Sequence, residues 1–376
     1  MIDKLFLVLI CGLPFGHFLF KATDLWHGQG HFFQVGLLVI FCWSFFEKPK
    51  YVQTVNRPLG AFTLWVGLLT SYLWIKTLII NQQYAIKIFL PFFNWLCFIW
   101  FYKLCLEYLD KNSIDKILKW FRYTIIAVIF YCVLQYFMLD EFLKGLSLHD
   151  ELVGTIGNSS HLAGYLAIVS PLFFDKKGIL PLILLWLIIL LANSASGVFV
   201  GVAMVLFWLL MKKYYRWFWG GLGLSLAGVG IVVVKFPNFL NLSHRLEIWK
   251  LAFETFKDKA ITGFGLGSFA LMKFQNLPDV SIWRHLHNEY YQVAFEVGLI
   301  GLVLILWCIW EYFRTFRILK TDLTIRLATI FFGFCLLALF TFPVHLFQLA
   351  MIGMISYSFI FVIKNEVKIE NPQRNS

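Results

Sequence analysis

Long apolar runs recur from one end of this chain to the other, and the short polar stretches between them carry most of its lysine and arginine. The hydrocarbon core of a bilayer is about 30 Å thick and takes about 20 apolar residues in a helix. Runs near that length fall at 5–20, 32–46, 59–80, 84–102, 123–139, 158–174, 179–193, 196–211, 217–234, 291–313, 325–342 and 346–363. Lipid offers backbone N–H and C=O groups no partner, so such runs must form helices. The expectation is an all-α fold, a polytopic transmembrane helical bundle of about 12 spans. The apolar stretch from 325 to 363 is too long for one crossing and is read as a hairpin turning at Pro343. No small-residue cleavage site follows the first run, Leu5 to Phe20, which predicts a retained span rather than a signal peptide.

Composition excludes the soluble alternative. The 376 residues are 60% hydrophobic and 14% charged, against about 25% charged in soluble domains. The net charge of +11 does not indicate nucleic acid, because the cations lie in clusters between the apolar runs, where they orient membrane helices. With twelve spans, 21 of the 32 lysines and arginines fall on the side that holds both termini. Four more (Lys21, Lys76, Lys87 and Lys144) fall in short loops on the other side, and seven in one long loop there. Both termini are therefore expected in the cytoplasm and the long loop outside it. All seven cysteines lie in or beside apolar runs with no CxxC pair, which favours neither disulfides nor zinc. The resulting division is 1–234 for spans one to nine, 235–290 for the outer loop, and 291–376 for the last three spans and a cytoplasmic tail.

The long loop is not disordered by composition, since it holds Trp249, Phe253, Phe256, Phe264, Phe269, Phe274 and Trp283. Ser243 can cap a helix running to about Lys259. Leu242, Leu246, Trp249, Phe253 and Phe256 recur at helical spacing and predict one apolar stripe, with Arg245 at its edge. Ile261-Thr-Gly263-Phe-Gly265-Leu-Gly267-Ser268 reads first as a tight turn, and second as a turn presenting N–H groups to an anion. A nucleotide loop is excluded, as no strand precedes it and no GK[ST] follows. Trp283-Arg284-His285-Leu286-His287-Asn288-Glu289-Tyr290 leads into a span. Its histidines can be interfacial residues bonded to the loop, or act as acid and base near neutral pH. With no DxD or HExxH in the chain, a metal site is the weaker reading. All nine histidines fall at or near the outer face, as does a polar stretch at 140–160.

These features together resemble the O-antigen ligase and O-antigen polymerase superfamily. His287-Asn288, nine residues, then Gly298-Leu-Ile-Gly301 matches that family's pattern of His, Asn/Ser/Gln, nine residues, Gly, two residues and Gly/Thr/Tyr. Arg245-Leu-Glu-Ile-Trp249 is similar to the opening of the family's loop helix, and Gly263-Phe-Gly265-Leu-Gly267 and Gly157-Asn158…Leu162-Ala163-Gly164-Tyr165 match in the same order. The likeness extends to the whole topology, with a large periplasmic loop between spans nine and ten. One departure stands out. Family members carry an arginine before the eighth span, and here the loop reads Asn193-Ser194-Ala195-Ser196-Gly197, with Ser196 in its place. Arg284 or Lys273 would have to stand in.

The resemblance implies a metal-independent, inverting glycosyltransferase of a bacterial inner membrane, with no cofactor. It would move a glycan from a polyprenyl-diphosphate carrier to an acceptor hydroxyl, such as that of lipid A-core, on the periplasmic face. Arg245 would hold the diphosphate as negative charge builds, and His287 would be the base. Arg284, His285, Asn288, Lys273, Gly265 and Ser196 would line the substrate site. The partners implied are the lipid-linked donor, the glycan acceptor and membrane lipid, not nucleic acid. A repeat-unit polymerase of the same superfamily is the alternative. A transporter or flippase is disfavoured, because transporters place ionisable groups at mid-membrane, whereas Lys76, Lys87, Glu107, Glu296 and Glu311 lie near span ends or loops.

Overall fold

The computed structural model describes residues 1–16, 25–51, 55–80, 82–137, 152–175, 178–235, 243–271 and 285–370. Among these there is no strand, and thirteen α-helices follow one another: α1 (Ile2–Gly12), α2 (Leu25–Ser44), α3 (Arg57–Ile80), α4 (Gln82–Tyr108), α5 (Lys111–Tyr136), α6 (Ser159–Val169), α7 (Ile179–Leu191), α8 (Ala195–Met211), α9 (Tyr215–Lys235), α10 (Ser243–Phe256), α11 (Glu289–Leu319), α12 (Asp322–Leu337) and α13 (Phe347–Glu370). Every helix except α10 overlaps one of the expected apolar runs. Five described stretches are long and apolar enough to cross a membrane: Arg57–Lys76, Phe89–Tyr108, Lys111–Tyr136, Glu289–Leu319 and Phe347–Ile369. Ile179–Leu191 and Ala195–Met211 are shorter apolar helices.

Helix ends sit where the sequence supplies caps. Asp110 accepts from the Ser113 amide at 2.8 Å at the start of α5, Asn158 from His161 at 3.1 Å at α6, and Asn288 from Tyr291 at 3.0 Å at α11. Thr321 and Thr324 form a reciprocal cap on α12. The expected run 158–174 is not one long helix. α6 has 11 residues and gives way at Ser170–Phe173 to a tighter turn containing Pro171. At 1.5 Å per residue it covers about 16 Å, and every residue of it but Ser160 is buried. A helix enclosed by protein need not match the bilayer's thickness. α8 lies along it, and a Cβ on Gly197 would meet that of Ala163 at 2.5 Å, the small-residue contact that lets membrane helices approach closely. Leu64, Leu68, Val303 and Leu224 are exposed, as lipid-facing side chains should be.

At one end of the bundle the polar loops meet in ion pairs. Lys50 pairs with Asp110 at 2.7 Å, Arg122 and Arg326 with Asp175 at 2.8 and 3.4 Å, and Lys212 with Asp322. α11 runs from the candidate site at its first residues to this end at its last. After α12 the chain turns through a short 3-10 segment, Pro343–His345, before α13, so the hairpin expected at Pro343 lies at the site's end of the bundle.

Candidate functional site

The loop after α9 returns to the bundle through α10, but not on the stripe expected. Leu246 and Phe253 are exposed, whereas Ile248, Ala252 and Phe256 are buried; Leu242 lies outside the described residues. The face turned to the protein is thus rotated by about one position, and its spacing brings Arg245 and Trp249 onto it, both half-buried. Ile248, Ala252 and Phe256 pack with Phe269, Leu286, Ala294 and Phe295 into a small core of their own. Two apolar side chains are left facing outward, which suits a helix lying at the membrane surface.

The glycine turn after α10 docks on a break in α11. Gly298 has φ 76° and ψ 178°, so the helix stops at Val297 and restarts. Across the break the amides of Phe264 and Gly265 donate to the carbonyls of Phe295 (3.1 Å) and Glu296 (2.6 Å), and that of Leu299 to Ala260 (2.9 Å). A Cβ on Gly263 would meet the Glu296 carbonyl at 2.4 Å, and one on Gly298 the Ile261 carbonyl at 2.0 Å. Only two glycines allow backbones this close. The Gly267 amide donates to the buried Glu296 carboxylate at 2.7 Å. The amides of Gly265 and Gly267 thus face the protein's own oxygens, which is the tight-turn reading of this segment rather than the anion-binding one.

Beside this clasp, four histidines surround the buried ring of Phe342. His285 stacks on it at 4.2 Å, and His287, His161 and His345 lie at 5.0, 5.3 and 6.4 Å. Arg245 reaches the same hairpin, its Nη1 donating to the Phe340 carbonyl at 3.1 Å. Arg245 and His287, predicted as partners from positions 42 apart in sequence, are brought within electrostatic reach of each other against the 340–342 segment. Burial, and then the neighbouring Arg245 charge, bring the His287 imidazole down to about 4, so it is neutral at pH 7. His285 falls further, to about 2, by burial and then by His345 and His287. Burial also lowers the Arg245 guanidinium, which still keeps its charge.

Three residues were not foreseen in a site role. Glu289, Gln292 and Glu296 project from the first turns of α11. The Gln292 Oε1 accepts from the Leu286 amide at 3.1 Å. Its Nε2 lies 3.2 Å from each of His285 Nδ1, His345 Nε2 and Glu296 Oε1. His345 Nδ1 lies 3.3 Å from Glu289. Burial opposes a charge on His345, but the Glu289 carboxylate outweighs it and carries the imidazole up to about 9. The signal in the sequence was the 289, 292, 296 spacing, a polar stripe at helical period on an apolar run.

Ser196 is half-buried in the first turn of α8, its hydroxyl 3.2 Å from that of Ser194, which caps the helix. One turn on, Phe199 meets Phe340, whose carbonyl Arg245 holds. Asn288 is committed to capping α11. Arg284 and Lys273 lie outside the described residues, as does most of the stretch 140–160. Among the described residues no cluster of three or more histidine, cysteine or acidic side chains is arranged to hold a metal ion. A cavity of about 290 Å³ opens among α3, α4, α11, α12 and α13, with Glu289, Glu296 and His345 in its wall and apolar side chains over most of the rest. Its apolar walls suit a hydrocarbon chain, while two buried carboxylates make it a poor place for a phosphate.

Comparison with known proteins bears on these same residues. Residues 180–306 match the model of the O-antigen ligase family. A protein of Rickettsia felis named as a candidate polysaccharide ligase is 30% identical over 88 residues, 21% of this chain and 22% of its own length. A counterpart from Rickettsia conorii with the same kind of name is 31% identical over 80 residues, 19% and 20% of the two chains. The chain thus spans about a fifth of the length of the curated relatives it matches. The matched stretch contains Arg245, the glycine turn, His287, Gln292, Glu296 and both glycines of the Gly298–Gly301 pair. Over residues 180–306, about a third of its length, this chain is similar to the O-antigen ligase family.

Proposed function

We propose that this protein is a membrane glycosyltransferase that moves a glycan from a polyprenyl-diphosphate carrier to the hydroxyl of an acceptor such as lipid A-core. The observation that carries the reading is the placing of Arg245 near a neutral, half-buried His287, inside the stretch that matches the ligase family. His287 takes the proton from the acceptor hydroxyl as its oxygen attacks the anomeric carbon. The bond from that carbon to the diphosphate breaks, and the diphosphate leaves with the electron pair, held by the fork of Arg245. One displacement inverts the anomeric centre. The guanidinium supplies the countercharge, so the step as written uses no metal.

Donor binding also improves the base. A diphosphate against Arg245 offsets the positive charge that holds the His287 imidazole down, and so raises its affinity for the proton when the proton must move. The twelve-span topology, with both termini cytoplasmic and the site on the periplasmic side of a bacterial inner membrane, belongs to this proposal. The gathering of the ion-paired basic loops at the end opposite the site supports it.

Deletion of the gene followed by analysis of surface glycan tests the function. Long unattached lipid-linked chains are the expected result, single capped repeats would mean a polymerase instead, and unchanged glycan would refute both. His287→Ala should stop transfer while leaving folding and donor binding intact; a fully active variant would remove the base assignment.

A further inference from the structure

His287 has φ 51°, in the left-handed region that side chains other than glycine seldom occupy. Such a conformation persists only where its surroundings over-determine it. The residue before it is gripped on both backbone groups. The Leu286 amide donates to Gln292 Oε1 at 3.1 Å, and its carbonyl accepts from Trp249 Nε1 at 2.7 Å. The Leu286 side chain is fully buried in the small core under α10. The residue after it, Asn288, is fixed as the cap of α11. Trp249 is itself tied back, its carbonyl accepting from the Tyr291 hydroxyl at 2.8 Å.

We propose that Gln292 and Trp249 are positioning residues for transfer, gripping the backbone of Leu286 from two elements so that His287 is held near Arg245. The proposal rests on the reading of His287 as the base. The orientation of the Gln292 amide follows from the chemistry: an N–H on Leu286 demands the carbonyl oxygen, so Nε2 must face the other way. There it has two protons for three neighbours at 3.2 Å. The two protons go to two of these three, and the hairpin that carries Phe342 and His345 meets the anchor of the base at this one side chain. Trp249 supplies the matching hold from α10, the helix that also carries Arg245. The diphosphate-holding and base groups are thus registered to each other through Leu286.

The test uses the full-length protein in phosphatidylethanolamine–phosphatidylglycerol vesicles, with Trp249→Phe, which removes the N–H and keeps a ring, and Gln292→Met, which keeps the length and removes both polar atoms. Diethyl pyrocarbonate acylates neutral imidazole, so its reaction with His287, followed by mass spectrometry against pH, reads how the residue is held without any turnover. The midpoint should lie near about 4 in the parent protein and move toward the ordinary value of about 6.5 in both variants. In parallel, transfer from a polyprenyl-diphosphate-linked glycan to lipid A-core should fall roughly 10- to 100-fold in kcat with donor KM little changed, the mark of a misplaced catalytic group. The double variant should be no worse than the more impaired single one, because both hold the same segment. Unmoved midpoints overturn the proposal, and so does a moved midpoint with full kcat. If Gln292→Met does not fold, Trp249→Phe decides alone. A His287→Ala protein that still transfers would strike the base reading itself, whereas the midpoints report on the grip in either case.

Discussion

Replacing Gly298 by alanine should undock the glycine turn from α11. The residue lies at φ 76°, ψ 178°, a region open almost only to glycine and costing another residue about 1–3 kcal/mol. The added Cβ would also stand 2.0 Å from the Ile261 carbonyl oxygen, where contact requires about 3.3 Å. The backbones must therefore part by more than an ångström. That breaks two or three of the hydrogen bonds that Phe264, Gly265 and Leu299 make across the break, each worth about 1 kcal/mol net. The sum is roughly 3–6 kcal/mol, or about 10²- to 10⁴-fold in the ratio of docked to undocked turn. Hydrogen exchange at the amides of Phe264 and Gly265 in the full-length protein measures this ratio, and protection should fall by at least about 100-fold. Gly67→Ala is the control. Its Cβ would meet only the rim of the Phe92 ring, at 3.5 Å, an ordinary contact, and protection at Phe264 and Gly265 should change less than about tenfold. Equal effects from the two substitutions, or none from Gly298→Ala, would refute the argument.

Arg245→Lys should lose most transfer, because an ammonium cannot form the two-pronged bond to a diphosphate; donor turnover near the parent rate would refute this. His287, held down at about 4, stays neutral through mild acid, so kcat/KM should be flat from pH 7 to 5 and fall only as pH approaches 4, whereas a limb near 6.5 would place the imidazole in open solvent. His345 titrates the other way: its value is raised to about 9 by Glu289. A raised value contributes stability that is complete below about pH 6.5 and is lost as pH climbs through 9, on the order of 3 kcal/mol in all. Thermal unfolding followed from pH 6 to 10 should show that loss in the parent protein and not in Glu289→Gln.

The helical architecture was legible because lipid removes every alternative for an apolar run: where the chain must satisfy its own backbone, period and length suffice. Pro343 gave the hairpin for a similarly local reason. α6 shows where the rule weakens, since a helix wrapped by protein answers to its neighbours rather than to the bilayer's thickness. In the site, Arg245 and His287 could be named because their partners in the pattern lie close by in sequence. The face of α10 was misplaced by about one position because Leu246 and Phe253, apolar by type, face outward, and only the packing of Ile248 and Ala252 shows which side is covered. Phe342 and His345 come from a hairpin more than fifty residues beyond His287. No spacing links them; they meet because α11 and α12 run antiparallel and return the chain to where it started.

That return has a consequence for how the site is divided. Arg245, His287 and the glycine clasp lie within 180–306, while the ring at the hub of the imidazoles, the carbonyl that steadies the guanidinium and the partner of Glu289 come from Phe340, Phe342 and His345. The matched stretch is therefore one jaw of a vice whose other jaw is cast from a separate piece of chain. A graft that moved the first jaw into another bundle would carry the proposed base and diphosphate-holding group and lose their alignment, and on the proposed function specificity could be retuned from the hairpin without touching either side chain.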